Sequence, residues 1–463
     1  MNRRIWFCCC FFLGLACADG LGAEDSLRVA TFDVDASPPI GSPLAYDPTV
    51  EVEGRLHCRG VVLFGAGKPI VLCSVDWLGI ANESQVVFRR LLAEAAGTTS
   101  RRVAVHTIHQ HDAPRCDFSS EQLLIQHGVT RGILYDGAFA RGVMERAARA
   151  VNEAIESAVP VTHIGLGEGT VEKVASNRRV LGPDGKVKYV RYTSCRDPKI
   201  RAAPVGTVDP KLKLITFWND DRCVVALTYF ATHPQSYYRT GKANPDFPGL
   251  ARAARERATG VMHVHFNGAG GNIGAGKWND GSHANRKILA DRMEAGMREA
   301  WRRTRRFPIT AADVAWKTVA VALPSSKHLD AGALQRVLAD DKASVMAKTS
   351  AAKRLVWWQR CRKGDRIDVS CLRLGPARIL HMPGELFVEY QLAAQKMRPD
   401  CFVAMAAYGE YGPAYIGTEI SYSQGGYETQ PTSSYVAPQV EHVLMRAMRE
   451  LLDVPPASNK PRR

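Results

Sequence analysis

Two runs of β-branched and apolar residues, GVVLF and PIVLCSV, flank a Gly-containing turn within residues 60–77 and predict neighbouring strands. Runs of the same kind recur as RVAVHTI (102–108), KLITFW (213–218), CVVALTYF (223–230), VMHVHF (261–266), DVAWKTVAVAL (313–323), ARILHM (377–382) and CFVAMAAY (401–408). Between them, apolar positions return with helical spacing in 84–97, 137–158, 284–303, 333–358, 385–397 and 437–452. Strands alternating with helices predict an α/β fold, mixed β-sheets layered with helices. No repeat period and no long Pro/Ser linker interrupts the order, so one large catalytic domain is expected over residues 24–453, followed by a frayed basic tail over 454–463.

Composition fits a globular protein: 46% of the 463 residues are hydrophobic and 23% charged. The opening MNRRIWFCCCFFLGLACADGLGAED passes from two arginines through a short apolar stretch to small residues. That layout predicts a signal peptide over 1–23, with cleavage after Ala18 or Ala23, and hence a secreted or periplasmic protein. The apolar stretch is too short to span a bilayer. Of the 12 cysteines, eight lie beyond this segment, an even number that permits disulfides in an oxidising compartment. Their wide spacing matches no zinc ribbon; Cys361 and Cys371 are the closest pair in sequence. The net charge of +15 is scattered in short groups such as RRVAV and WRRTRRF, without an aromatic-interleaved stripe. This argues for a solvated basic surface and against nucleic acid as a partner, while leaving peripheral contact with an anionic membrane surface open.

Several strand runs end in polar clusters, as expected where loops beyond strand ends converge on one crevice. HQHDAP follows the first. If the chain stays extended there, His109 and His111 project to one side and face one ion, whereas His106 is out of phase; the alternative is a polar strand end. ATHPQSYY follows CVVALTYF, placing His233 at a turn, with Asp246 beyond it at a helix start. MPGE places Glu385 at a turn before a helix, suited to the helix dipole or to a metal ion, and His381 before it reads as structural. The Gly-rich NGAGGNIGAG matches no nucleotide-binding fingerprint, and its glycines suit close approach of the backbone to a substrate. Tyr408, Tyr411, Tyr415, Tyr422 and Tyr427 share a segment with too many glycines for a core, which reads as a mobile ligand-binding loop or, equally, as surface aromatic packing.

In this order, from RVATFDVD to GGYET, the motifs resemble the catalytic domain of the neutral/alkaline non-lysosomal ceramidases, secreted or membrane-associated zinc amidases. The family's His-x-His-Ser-Gly-Pro corresponds to HQHDAP, which makes His109 the matching zinc ligand and His111 the active-site histidine. YFATH supplies His233 as the second zinc histidine and MPGE supplies Glu385. AYIGTE supplies Tyr415 as the last ligand, and GGYE, twelve residues on, supplies Tyr427 as the catalytic tyrosine. Arg178 in SNRRV matches the arginine of the family's Asn-Arg-Ser segment. Two departures stand out. The Gly-Asp-Val-Ser-Pro-Asn box is GNIGAG here, with Asn272 and Gly274 in place of the acid and the serine, and the C-terminal immunoglobulin-like domain has no counterpart.

The resemblance implies a Zn²⁺ cofactor held by His109, His233, Glu385 and Tyr415, with a metal-activated water replacing the absent serine as nucleophile. His111 would move protons, while Tyr427 and Arg178 would stabilise the oxyanion. The substrate class implied is a small molecule or lipid with an N-acyl, ceramide-like amide bond. Two alternatives stand beside it. One is a zinc hydrolase of another polar ester, amide or glycan, favoured by charged residues in RCDFSSEQLL. The other is a non-catalytic extracellular binding protein with a degenerate site.

Overall fold

The computed structural model describes residues 26–454. The expected signal segment and all but Val454 of the expected tail lie outside the described residues. Alternation of strands and helices yields three mixed β-sheets with eleven α-helices among the described residues, the architecture expected from the pattern.

The first sheet has the strand order 103–107, 70–75, 57–64, 28–35, 159–160. The second runs 262–267, 222–230, 211–219, 163–170, 305–308, and the third 314–321, 367–374, 377–381, 402–406. Each sheet is antiparallel except for one parallel pair: 70–75 with 103–107, 222–230 with 262–267, and 377–381 with 402–406. A parallel pair needs a crossover, and helices supply each one. Glu83–Ala95 bridges the first pair, Asp246–Thr259 the second and Val388–Met397 the third.

The sheets share one apolar interior. Val61 and Leu63 of the first, Ile164, Phe217 and Val264 of the second, and Leu372, Ile379 and Ala404 of the third belong to a single buried cluster. The C-terminal ends of three parallel strands then close into a triangle. Thr107 N donates to Tyr408 O at 3.1 Å, Ala407 N to Asn267 O at 2.9 Å, and Asn267 Nδ2 to Ile108 O at 3.3 Å. Loops leaving these ends are thereby held within reach of one another, as in open α/β sheets where ligands sit beyond strand carboxyl ends.

A buried ion pair ties the first two sheets' surroundings together. Arg252, on the second crossover helix, donates to both oxygens of Asp76 at 2.7 and 2.6 Å. Burial opposes ionisation of Asp76, but Arg252 outweighs it and holds the carboxyl below its ordinary value. Asp76→Ala is expected to cost about 3–5 kcal/mol in urea unfolding, because Arg252 is left buried and unpaired. Since the folded pKa is depressed, this contribution is full above the unfolded pKa of about 3.9 and disappears as pH falls through the folded value. The gap between wild type and variant should therefore close below about pH 4.

Three local expectations are corrected. The helix expected over 333–358 is two, Ala331–Ala339 and Val345–Lys363. Asp340 accepts from Lys342 N and Ser344 caps the second helix through Ala347 N, so short polar side chains compete with the helical backbone there. RCDFSSEQLL is no ligand loop: it carries the helix Phe118–Gln126, capped by Asp117, and Glu121 accepts from Gly137 N. Its charges serve the fold, which removes that support for a polar substrate. The eight described cysteines are free, Cys361 and Cys371 included, although Cys58 and Cys73 bring their sulfurs to 3.6 Å on adjacent buried strands.

Candidate functional site

Five expected residues reach one buried point. His109 Nε2 lies 3.2 Å from Glu385 Oε2, and His233 Nε2 lies 3.1 Å from the same oxygen. His111 Nε2 is 3.2 Å from His109 Nε2, and Tyr415 OH is 3.4 Å from His233 Nε2. His109, His111 and His233 form the metal-competent cluster found among the described residues, and all three are buried.

Local backbone explains the convergence. His109 and His111 meet through a left-handed kink, with φ of 64° at His109, and not by extended alternation as the sequence suggested. Asp112 fixes this turn by accepting from Arg239 N at 2.8 Å and Thr240 Oγ1 at 2.8 Å. His233 follows strand 222–230 directly. Glu385 sits in a two-residue strand paired in parallel with Tyr415–Ile416. The following helix begins at Val388, so Glu385 is a member of the cluster and not a helix-dipole partner.

The histidine tautomers follow from their outer nitrogens. His109 Nδ1 is 2.8 Å from Leu78 O, and His233 Nδ1 is 2.7 Å from Gly270 O. A carbonyl can only accept, so both Nδ1 atoms carry hydrogen, and in the neutral ring each Nε2 presents its lone pair to the cluster. Burial opposes charge on His233 and brings its pKa down to about 4, despite the nearby Glu385 carboxylate. Burial also lowers His111, with His109 and His233 adding to the effect. Glu385 is held well below the usual carboxylate range because its imidazole neighbours outweigh burial.

Two imidazole lone pairs and an ionised carboxylate oxygen thus face one another at 3.1–3.2 Å. With hydrogen absent from both Nε2 atoms all three are acceptors, and a cation among them takes the place of the hydrogen that these imidazoles otherwise share with Glu385. A tetrahedral zinc with arms of about 2.0 Å spaces its ligand atoms about 3.3 Å apart, so donor type and spacing both fit. Outer hydrogen bonds from ligand imidazoles to carbonyls are the usual support of such ions. Tyr411 adds another, donating to Glu385 Oε1 at 2.6 Å.

Arg178 is buried and donates from one terminal nitrogen to Tyr415 OH at 3.1 Å. Its Nε pairs with Glu428 at 3.3 Å. Burial works against its charge, but Tyr415 and Glu428 outweigh it, so the guanidinium stays charged. The position of the absent family serine adjoins it: a side chain at Gly274 would meet Arg178 Cγ at 3.3 Å. Tyr427 stands on the cavity wall, edge-on to Tyr415 with ring centroids 5.8 Å apart and 5.5 Å from the Arg178 guanidinium. A cavity of about 230 Å³ opens onto the cluster, lined by His111, Arg178 and His233 together with Tyr46, Gln235 and Tyr238 among others.

The tyrosine-rich segment is not a loose loop. Tyr408 and Tyr415 are buried in the third sheet's core, and the Tyr408 ring stacks on His109 with centroids 4.5 Å apart. Nor do the glycines of NGAGGNIGAG approach a substrate. A Cβ at Gly271 would collide with the Glu385 carbonyl, and one at Gly270 would lie 2.7 Å from Thr232 O. The glycines let this turn lie against the strands carrying His233 and Glu385. Gly271→Ala is therefore expected to cost about 1–3 kcal/mol in urea unfolding by overpacking. Metal affinity, read by equilibrium titration, should fall at least about tenfold with it, as for changes in the support of ligand groups.

Sequence reasoning gave no role to Tyr46 or Glu428, and named Tyr411 only as one of the tyrosines of the Gly-rich segment. Tyr46 OH is 2.9 Å from His111 Nδ1. It comes from a loop without periodic pattern, so only the folded chain reveals it. Tyr411 and Glu428 lie within the tyrosine-rich segment, and Glu428 directly follows Tyr427. Asp246, His381 and His106 lie outside the cluster: Asp246 accepts from Ser236 at the start of its helix, and the two histidines bond to each other.

No protein-family model matches the chain, and a search of curated proteins finds no match. Among solved structures, the chain is similar to neutral ceramidase from Pseudomonas aeruginosa, with a TM-score of 0.65 and 15% identity over 93% of this chain and 74% of that one. It is also similar to a ceramidase complexed with C2, with a TM-score of 0.67 and 14% identity over 92% and 75% of the two chains. At such identity the likeness establishes the fold, which is that of a neutral ceramidase catalytic domain, as the motif order implied.

Proposed function

We propose that this chain, on its neutral ceramidase fold, is an exported zinc-dependent hydrolase of an N-acyl amide bond. The observation that carries this reading is the meeting of two Nε2 atoms and one carboxylate oxygen at tetrahedral spacing, with both Nδ1 atoms committed to carbonyls. His109, His233 and Glu385 would hold the metal, with Tyr415 beside them. Bound zinc supplies Lewis acidity and lowers the pKa of a water to about 7.

The remaining chemistry belongs to the chain's own residues. His111 Nδ1 shares a hydrogen bond with the Tyr46 hydroxyl, which can accept as well as donate; in the tautomer with hydrogen on Nδ1, His111 Nε2 is a neutral base aimed at the cluster, able to take a proton from the attacking water and return it to the leaving amine. Arg178, kept charged by Glu428, offers positive charge beside Tyr415, where an amide oxygen gains negative charge. Tyr427 closes the cavity on that side. The absence of a serine at Gly274 is compatible with attack by water.

A second reading concerns the acyl substrate. The adjoining cavity is below the roughly 300–1,000 Å³ of pockets for drug-sized ligands, and Gln235, Thr193 and Ser194 make part of its wall polar. This favours a compact polar amide over a long-chain lipid. The test is hydrolysis of a short-chain ceramide and of water-soluble N-acyl amides by metal-replete enzyme. Chelator-sensitive release of an amine from either class supports the amidase reading, and preference for the soluble class supports the second. Metal-replete protein that cleaves neither overturns the assignment in favour of a binding protein.

A further inference from the structure

A second polar cavity, of about 60 Å³, lies on the other side of segment 407–411 from the histidine cluster. The segment separates the two: Tyr408 stacks on His109 and Tyr411 bonds Glu385, while Gly409 and Glu410 line this cavity. Room for roughly four waters suits one small tetrahedral anion.

Four guanidinium groups line it, from Arg89, Arg101, Arg360 and Arg366, against two carboxylates. Asp368 is met by Arg89 at 3.0 Å and by Arg101 at 3.6 Å, and Glu410 by Arg360 at 2.9 Å. Arg366 makes no ion pair among the described residues. The lining therefore carries surplus positive charge.

Two buried polar atoms on the wall lack partners, Gln85 Oε1 and His381 Nε2. Their hydrogen-bonding sense can be derived. Gln85 Nε2 donates to Val105 O at 3.0 Å, leaving its Oε1 as a bare acceptor. His106 Nδ1, 2.7 Å from Ala407 O, must carry hydrogen, and burial lowers its pKa to about 4, so its Nε2 accepts. His381 Nδ1, 3.1 Å away, is then the donor, and His381 Nε2 is a second bare acceptor. Buried polar atoms without partners are costly, so a ligand satisfying both is favoured.

Arginines call for an oxyanion, and the two acceptors call for a ligand that also donates hydrogen bonds. We propose that this cavity binds a phosphate group that retains a proton, distinct from and independent of the metal centre. Sulfate has the same shape and no proton at neutral pH, so it would set oxygens against Gln85 Oε1 and His381 Nε2.

Isothermal titration of the full chain with inorganic phosphate, sulfate and glycerol 3-phosphate at pH 7 tests this. Saturable phosphate binding is expected, at least tenfold tighter than sulfate, and weakened at least tenfold in both Arg366→Ala and Arg101→Ala. These arginine positions are exposed, so the variants should fold, and both lie away from the metal cluster. Tighter binding of glycerol 3-phosphate would identify a phosphomonoester as the source of the group, and tighter inorganic phosphate the free ion. Equal affinity for phosphate and sulfate, or phosphate affinity unchanged in both variants, would overturn the proposal.

Discussion

Glu385→Ala is expected to reduce bound metal from about one ion per chain to near zero, and N-acyl hydrolysis by about 10³-fold or more. Glu385 Oε2 is the atom shared by His109 Nε2 and His233 Nε2 at 3.2 and 3.1 Å, so its removal takes the carboxylate from a donor set otherwise made of imidazoles. The catalytic loss follows from several kcal/mol of charge stabilisation supplied by a metal ion, at 1.36 kcal/mol per decade. Stability should respond differently. In metal-free wild type the cost of burying the carboxylate offsets the hydrogen bonds it takes from His109 and His233, so the variant should melt within a few degrees of chelated wild type. The sheets' common apolar interior, not the ion, holds the fold. Elemental analysis after purification without chelator, with calorimetric melting of both proteins, reads these outcomes together. A variant that keeps a full metal complement, or one that is unfolded, would contradict the account.

His111→Ala has the opposite signature. Metal content should stay near one per chain, while kcat falls by about 10²–10⁴-fold, the usual contribution of a positioned proton-transfer group. The argument rests on placement. His111 Nε2 approaches His109 Nε2 at 3.2 Å, yet its other nitrogen bonds the Tyr46 hydroxyl instead of a backbone carbonyl. His109 and His233 are each anchored to carbonyls, the support expected of ligands. His111 also stands on the cavity wall, in reach of a substrate. Loss of metal in His111→Ala would instead make it a ligand alongside His109 and His233. The same variant should flatten the acid limb of the kcat profile, because burial and its imidazole neighbours lower the pKa of His111 and that limb reports its protonation.

Strand and helix placement was largely legible in the chain because it rests on local periodicity. The runs at 223–230 and 377–382 appear as strands within a residue or two of their expected ends, and helix 284–303 likewise. The misses share a cause. Strand 163–170, HIGLGEGT, carries three glycines and little apolar signal; it is a strand because partners on both sides supply its hydrogen bonds. Helix 118–126 shows no long apolar stripe and is fixed by the Asp117 cap and its contacts.

The sequence by itself determined the candidates: His109, His111, His233, Glu385, Tyr415, Arg178 and Tyr427 each follow a strand run or sit in a recognisable short motif. Only the tertiary structure decided that they share a point, because up to 276 positions separate His109 from Glu385 and no local pattern encodes that meeting. It arises where three parallel strand pairs close on one another through Thr107, Asn267 and Tyr408. Tautomers and roles also lie at this level, since Leu78 O and Gly270 O decide which nitrogen of His109 and His233 carries hydrogen. The second cavity is wholly a product of packing: four arginines, a glutamine and a histidine unremarkable in sequence become a site because the fold leaves two buried acceptors without partners.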